Sequence, residues 1–134
     1  EDVDARSLAN AYGQTLTQVF THEMKPLEVE ILVAEVGHQP NGDQLFRILY
    51  DGTVYDEDHF TVLGGEAEAI TERLQSAFDP AWNLGAALKA AVAALAGPER
   101  TLQIDELEIA VLARSNGRRA FRRIVDDEAA ALLA

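Results

Sequence analysis

From Ala5 to His22 the larger apolar residues fall at Leu8, Tyr12, Leu16, Val19 and Phe20, a spacing that lines one face of a helix. Asp4 or Ser7 is suited to cap its start, and Pro26 closes the segment because the residue before a proline is pushed out of helical geometry. The period then changes to two. Leu27, Val29, Ile31 and Val33 alternate with Glu28, Glu30 and Leu32, which predicts a strand with one face more protected than the other. A turn follows at His38-Gln39-Pro40-Asn41-Gly42-Asp43. The runs Leu45-Phe46-Arg47-Ile48-Leu49-Tyr50 and Thr53-Val54-Tyr55 flank Asp51-Gly52, the signal of a hairpin closed by a type I′ turn. Phe60-Thr61-Val62-Leu63 continues the β pattern up to Gly64-Gly65.

Helical spacing returns at Ala67, Ile70, Leu74, Ala77 and Phe78, and again at Leu84, Leu88, Ala91, Val92 and Leu95 before Gly97-Pro98. Ala86, Ala87, Ala90 and Ala94 let the second of these helices approach a neighbour closely. Positions 107–113 and 120–125 predict two antiparallel strands around a turn at Ser115-Asn116-Gly117, and positions 127–134 a short terminal helix. The order α-β-β-β-α-α-β-β-α has hairpins and blocks of helices, so the expected class is α+β with antiparallel sheets. The 134 residues suffice for one domain with one core, so a single domain over 1–134 is expected. The chain opens directly in an amphipathic helix with no preceding element to lie on, which predicts that something belongs in front of it.

Charge narrows the function classes. The formal net charge is −12, the wrong sign for a phosphate backbone, so nucleic acid is not an expected partner. No apolar run approaches the roughly 20 residues of a membrane span, and the acidic start lacks the cationic region of a secretory signal. Neither a membrane partner nor export is expected, and the absence of cysteine fits a cytoplasmic protein and excludes thiolate chemistry.

Candidate chemistry is sparse. His22, His38 and His59 are scattered, and Asp56-Glu57-Asp58 beside His59 offers hard-cation ligands without the spacing of a calcium loop, so a solvated loop is the expectation there. Ser7, Ser76 and Ser115 stand outside any Gly-x-Ser-x-Gly elbow. Gly64-Gly65 lacks the lysine and glycine pattern of a phosphate loop and reads as a tight strand-to-helix turn. No catalytic, cofactor-binding or metal-ligating residue is assigned, and no cofactor is expected. The chain's most unusual stretch is "GRRAFRRI", with Arg118, Arg119, Arg122 and Arg123 inside an acidic sequence. In an extended segment Arg119, Phe121, Arg123 and Val125 face one way and Arg118, Ala120, Arg122 and Ile124 the other. Two readings are open: a strand packed on both faces, its guanidinium groups reaching carboxylates, or an exposed edge strand protected by charge.

The segments "LANAYGQTLTQVFTHEMKPLEVEILVAEVG", "LFRILYDGTVYDEDHFTVLGG" and "LEIAVLARSNGRRAFRRI" together resemble the α-type subunit of the bacterial proteasome found in actinobacteria. The resemblance covers nearly all of this chain and only the back part of that family's chain. It implies an Ntn-hydrolase-like fold, antiparallel sheets layered with helices and incomplete at the N-terminus, in which the helix at 6–22 lies on the sheets, 67–77 and 84–96 form the opposite layer and 107–125 is the last hairpin. It implies a non-catalytic subunit of a seven-membered α-ring that frames substrate entry. The partners implied are other α-type subunits, β-type catalytic subunits, a ring ATPase activator and pupylated protein substrates. Catalysis in this fold belongs to β-type members, whose N-terminal threonine acts with lysine and aspartate and with serines in a Gly-Ser-Gly turn and an Asp-x-x-Ser-Gly-Gly stretch. This chain begins with Glu1 and carries Leu63-Gly64-Gly65-Glu66 and Gly97-Pro98-Glu99-Arg100-Thr101 at the corresponding places, so both serines are missing. The family's gating tail and activator pocket fall before Glu1, so no such residue is carried over. Faces left open by the missing front part predict a dimer or higher assembly, or replacement pairing at open strand edges. The rival readings are an active β-type or other hydrolase, and a small acidic module holding a cation at Asp56, Glu57, Asp58 and His59.

Overall fold

Phe46 and Ile48 are the largest fully buried side chains, at 1% and 0% exposure, and the first half of the chain is organised around them. The computed structural model describes residues 3–22 and 27–134, which divide into two units, Glu1–Gly64 and Gly65–Ala134.

In the first unit α1 (Ala5–His22) lies on a three-stranded antiparallel meander of β1 (Ile31–Glu35), β2 (Gln44–Ile48) and β3 (Val54–Glu57), in the order β1-β2-β3. Phe46 pairs Val33 and Asp56, and Ile48 pairs Ile31 and Val54. These residues share the face turned to α1, where Ala5, Ala9 and Leu16 complete the core. Asp4 caps α1 by accepting from the Ser7 amide at 2.7 Å, and Glu35 Oε1 accepts from the Ala5 amide at 3.2 Å, placing carboxylates at the positive end of the helix. Pro26, the expected stop, lies outside the described residues.

Three expectations need correcting in this unit. The helix exists over the expected span, but its buried face is Ala5, Ala9, Gly13 and Leu16, while Leu8 and Tyr12 flank it at 41% and 42% exposure. Small residues go inward because the backbone of α1 comes close to the hairpin loop. That loop is not type I′. The Leu49 amide donates to the Thr53 carbonyl and the Gly52 amide to the Leu49 carbonyl, both at 2.9 Å, and among the loop residues only Gly52 has positive φ (+91°). This is a three-residue loop ending in a glycine bulge. Finally, β1 begins at Ile31, so Leu27 to Glu30 lie outside the ladder, and Phe60 to Leu63 form no strand. Both stretches have β-type sequence, but a strand exists only where a neighbour accepts its hydrogen bonds.

In the second unit α2 (Ala67–Ala77) packs on α3 (Leu84–Ala96), which in turn meets α4 (Asp126–Leu133); β4 (Ile109–Leu112) and β5 (Phe121–Ile124) form a two-stranded antiparallel ribbon. Asn83 caps α3 by accepting from the Ala86 amide at 2.9 Å. At the far end Gly97 (φ +70°) ends α3, and Arg73 Nε donates to the Ala94 carbonyl at 2.9 Å, tying α2 to the last turn of α3. Gly85 sits where α3 runs close to α4: a Cβ at this position would lie 3.5 Å from the Leu132 carbonyl oxygen, an ordinary van der Waals contact. Ile70, Ala94, Ile124 and Ala129 are the buried residues, so this unit has a thinner core than the first. The expected helices at 67–77 and 84–96 stand with their ends, and the last hairpin keeps its pairing with strands shorter than expected. The architecture is α+β with antiparallel sheets, as the sequence predicts.

Candidate assembly surface

The residues weighed for chemistry are kept apart or already occupied. Asp56 Oδ2 accepts from Arg6 at 3.0 Å, and Glu57 Oε1 accepts from Arg47 Nε at 3.1 Å. These carboxylates lie on successive positions of β3 and face opposite sides of the sheet, each neutralised by an arginine. They cannot converge on one cation, and among the described residues no group of three or more His, Asp or Glu side chains is placed to hold a metal. His22 Nδ1 stands 2.7 Å from the Thr21 hydroxyl and 3.1 Å from the Gln18 carbonyl at the end of α1, a helix-terminal contact. Ser76 donates to the Glu72 carbonyl at 2.9 Å, Ser7 lies in the first turn of α1, and Ser115 lies in the connection between β4 and β5. Gly64 takes φ +100° before α2, but no strand precedes it, so the glycine pair starts a helix without being the strand-to-helix turn expected.

The arginine strand is more informative. Pairing of Val111 with Arg122 and of Leu112 with Phe121 fixes which side chains share a face. Ile124 is buried and Arg122 half-buried, while Phe121 and Val125 on the other side are 64% and 65% exposed. Of the two faces, the one with Arg122 and Ile124 is covered and the one with Phe121, Arg123 and Val125 is open. Arg122 Nη1 donates to both carboxylate oxygens of Glu128, at 2.9 and 2.7 Å, so the ribbon is pinned to the first turn of α4. Arg123 reaches Glu108 only at 3.4 Å, between two largely exposed side chains. Arg122 therefore fits the packed reading, gripping a carboxylate of its own chain, whereas Arg123 belongs to an open surface.

Other apolar surface is open as well. Between Arg6 and His22, α1 carries no charged residue, although a quarter of the chain is charged. Leu8, Tyr12 and Phe20 are 41%, 42% and 45% exposed, with Phe20 edge-on to Tyr50 at 5.7 Å. The sheet face turned away from α1 shows Leu32 and Tyr55 at 47% and 43%, with Arg47 over the Tyr55 ring at 4.7 Å. Exposed apolar side chains gathered on these faces are of the kind that protein contacts cover.

Residues 1–112 match the family described as proteasome subunit. The chain belongs to the proteasome subunit family. It is similar to "Proteasome subunit alpha" of Acidimicrobium ferrooxidans, 56% identical over 96% of this chain and 55% of that relative. Proteins of the same description from Actinosynnema mirum and Kineococcus radiotolerans are each 47% identical, over 98% and 99% of this chain and 53% and 60% of theirs. The chain thus spans about half the length of the curated relatives it matches. Within the proteasome subunit family the likeness is to actinobacterial α subunits. Sequence reasoning missed the Arg122–Glu128 pin; the spacing of six residues across a strand end and a helix start was the only signal, and it is common to many non-contacting pairs.

Proposed function

We propose that the chain is a structural, non-catalytic α-type component of a bacterial proteasome core particle, taking part in ring assembly and substrate entry. The observation that carries this reading is the match to proteins named proteasome subunit alpha across nearly the whole of this chain. It is supported by the sequence at the family's catalytic positions, where Leu63, Gly64, Gly65 and Glu66, and Gly97 to Thr101, supply no serine. The open faces of α1 and of the β4–β5 ribbon fit a protein whose chemistry is contact with other subunits.

On this reading the partners are other α-type subunits in a seven-membered ring, β-type subunits, a ring ATPase activator and pupylated proteins. The site of action is the cytoplasm, consistent with no helix among the described residues being long and apolar enough to cross a membrane. Both units belong to one family domain, a view supported by the family match running from residue 1 to residue 112, through the junction at Gly64. The test is co-expression of the tagged chain with the α subunit of Acidimicrobium ferrooxidans, followed by native mass spectrometry. Recovery of assemblies containing both is expected; recovery of the chain free of the relative at every ratio would refute the proposal.

A further inference from the structure

Two asparagines of the chain precede glycine, in Asn41-Gly42 and Asn116-Gly117, and their surroundings differ. Asn116 ends the single 3₁₀ turn Arg114–Asn116 in the connection between β4 and β5. Its carboxamide makes no hydrogen bond among the described residues, and positions 115–119 are all exposed. The Gly117 amide donates to the Arg114 carbonyl at 3.2 Å, at the long end for such a bond, and no atom lies within 4 Å of where a Gly117 Cβ would stand. Arg118 and Arg119 follow, and neither has a carboxylate partner among the described residues. Asn41 stands in a braced turn. Pro40 fixes the backbone before it, the Gly42 amide donates to the Gln39 carbonyl at 2.9 Å, the Asp43 amide to the Pro40 carbonyl at 3.2 Å and the Gly37 amide to Asp43 Oδ1 at 2.8 Å. A Cβ on Gly37 would lie 2.6 Å from the Gly42 carbonyl carbon, so the two backbones are in contact. The residue after Gly42 is an aspartate, where the residue after Gly117 is an arginine.

We propose that Asn116 is a site of spontaneous covalent modification, converted to aspartate and isoaspartate through attack by the Gly117 nitrogen on its side chain. The Gly117 nitrogen bonds to the Asn116 side-chain carbonyl carbon, the bond from that carbon to the carboxamide nitrogen breaks, and ammonia leaves with the proton that Gly117 gave up. Water then opens the cyclic imide. Its hydroxyl adds to one of the two carbonyl carbons, the bond from that carbon to the Gly117 nitrogen breaks, and the nitrogen takes back a proton. Opening at the side-chain carbon gives aspartate, and opening at the main-chain carbon gives isoaspartate. Asparagine is among the thermally labile residues, and glycine has no Cβ to obstruct the approach. The attacking species is the deprotonated amide, which a neighbouring cation favours and a neighbouring anion opposes. Arg118 and Arg119 act in the first sense beside Gly117, and Asp43 in the second beside Gly42. Ring closure also requires the glycine amide to leave its turn. At Gly117 that breaks one long hydrogen bond, whereas at Gly42 it breaks a shorter one and disturbs the Gly37 contact and the bonds of Asp43. The product carries one more negative charge beside Arg118 and Arg119, and the isoaspartyl form adds one main-chain carbon between β4 and β5. The result is a one-way change of charge in the most basic stretch of an acidic chain.

Peptide mapping by mass spectrometry tests this on the folded chain incubated at mildly alkaline pH, with the chain unfolded in urea in parallel. The peptide containing Asn116 is expected to gain the mass difference between NH2 and OH about tenfold faster than the peptide containing Asn41. In urea, where the bracing is gone, Asn41 should close much of that gap. Arg118→Gln/Arg119→Gln, with circular dichroism matching the unaltered chain, should slow conversion of Asn116 about threefold at low salt and leave Asn41 unchanged. An Asn116 that stays intact in the folded chain while the unfolded chain reacts, an Asn41 that keeps pace with Asn116 in the folded chain, or an arginine variant that reacts at the unaltered rate would each overturn the proposal.

Discussion

Gly13 of α1 and Gly52 of the β2–β3 loop meet so closely that neither position has room for a side chain. A Cβ on Gly13 would lie 2.8 Å from Val54 Cγ2 and 2.9 Å from the Gly52 carbonyl oxygen; one on Gly52 would collide with Thr17 and the Gly13 carbonyl. The Thr17 hydroxyl donates to the Asp51 carbonyl at 3.3 Å across the same contact. In an ordinary exposed helix, Gly→Ala gains about 1 kcal/mol. Here the sign reverses. Gly13→Ala is expected to lower unfolding free energy by about 1–3 kcal/mol through overpacking. Gly52→Ala, which adds a strained positive φ, is expected to cost about 2 kcal/mol or more. Urea unfolding of both variants checks this, and a stabilised Gly13→Ala would show that the helix stands off the loop.

This contact also explains what could and could not be read from the sequence. The end of α3 was legible because Gly97-Pro98 acts locally. The β2–β3 hairpin was legible from Asp51-Gly52, but its register was not, because a two-residue turn there pairs Tyr50 with Thr53 whereas the three-residue loop pairs Leu49 with Thr53. The inward face of α1 was not, since a 3.6-residue period gives the spacing of a stripe but not which small residues a neighbour's backbone demands. Leu27 to Glu30 and Phe60 to Leu63 read as strand yet have no ladder here, because propensity sets readiness to pair and not the presence of a partner. Within "GRRAFRRI", alternation separated the two faces correctly, but only α4 decides that the Arg122 face is covered.

Helix α3 depends on its cap. The Asn83 side chain accepts from the Ala86 amide in a helix whose first turn has no acidic residue. Asn83→Ala is expected to cost about 1 kcal/mol, and Asn83→Asp about nothing or a slight gain from the helix dipole. Thermal unfolding of the two variants side by side checks the pair of signs.

The Arg122–Glu128 pair is short but 41% and 38% exposed, so water screens much of it. A double-mutant cycle with Arg122→Gln and Glu128→Gln is expected to give a coupling of about 0.5–1 kcal/mol, shrinking as salt is added. A coupling indistinguishable from zero at low salt would mean that α4 is not held to the ribbon by this contact.

Acid stability follows from two capping carboxylates. Asp4 is held below its ordinary value of 3.8 by the Ser7 hydroxyl and then by the Ser7 amide; Asp51 is held below 3.8 by the Thr53 amide, 2.9 Å away, and then by the Thr53 side chain. A carboxyl depressed in the folded state binds its proton more readily when unfolded. Its contribution is therefore complete above the ordinary carboxylate range and is lost as pH falls through the folded value. Between about pH 5 and about pH 2 the Asp4→Asn/Asp51→Asn variant should show a shallower fall in stability than the parent. Equal slopes in the two proteins would contradict the assignment.

On the proposed function the chain contributes contact surface to a proteolytic assembly and performs no hydrolysis itself. Turnover of fluorogenic peptides by the purified chain, at concentrations far above those used for active proteasomes, tests it most directly. A rate equal to buffer alone is expected, unchanged by a threonine-directed inhibitor. A saturable, inhibitor-sensitive rate proportional to chain concentration would contradict it.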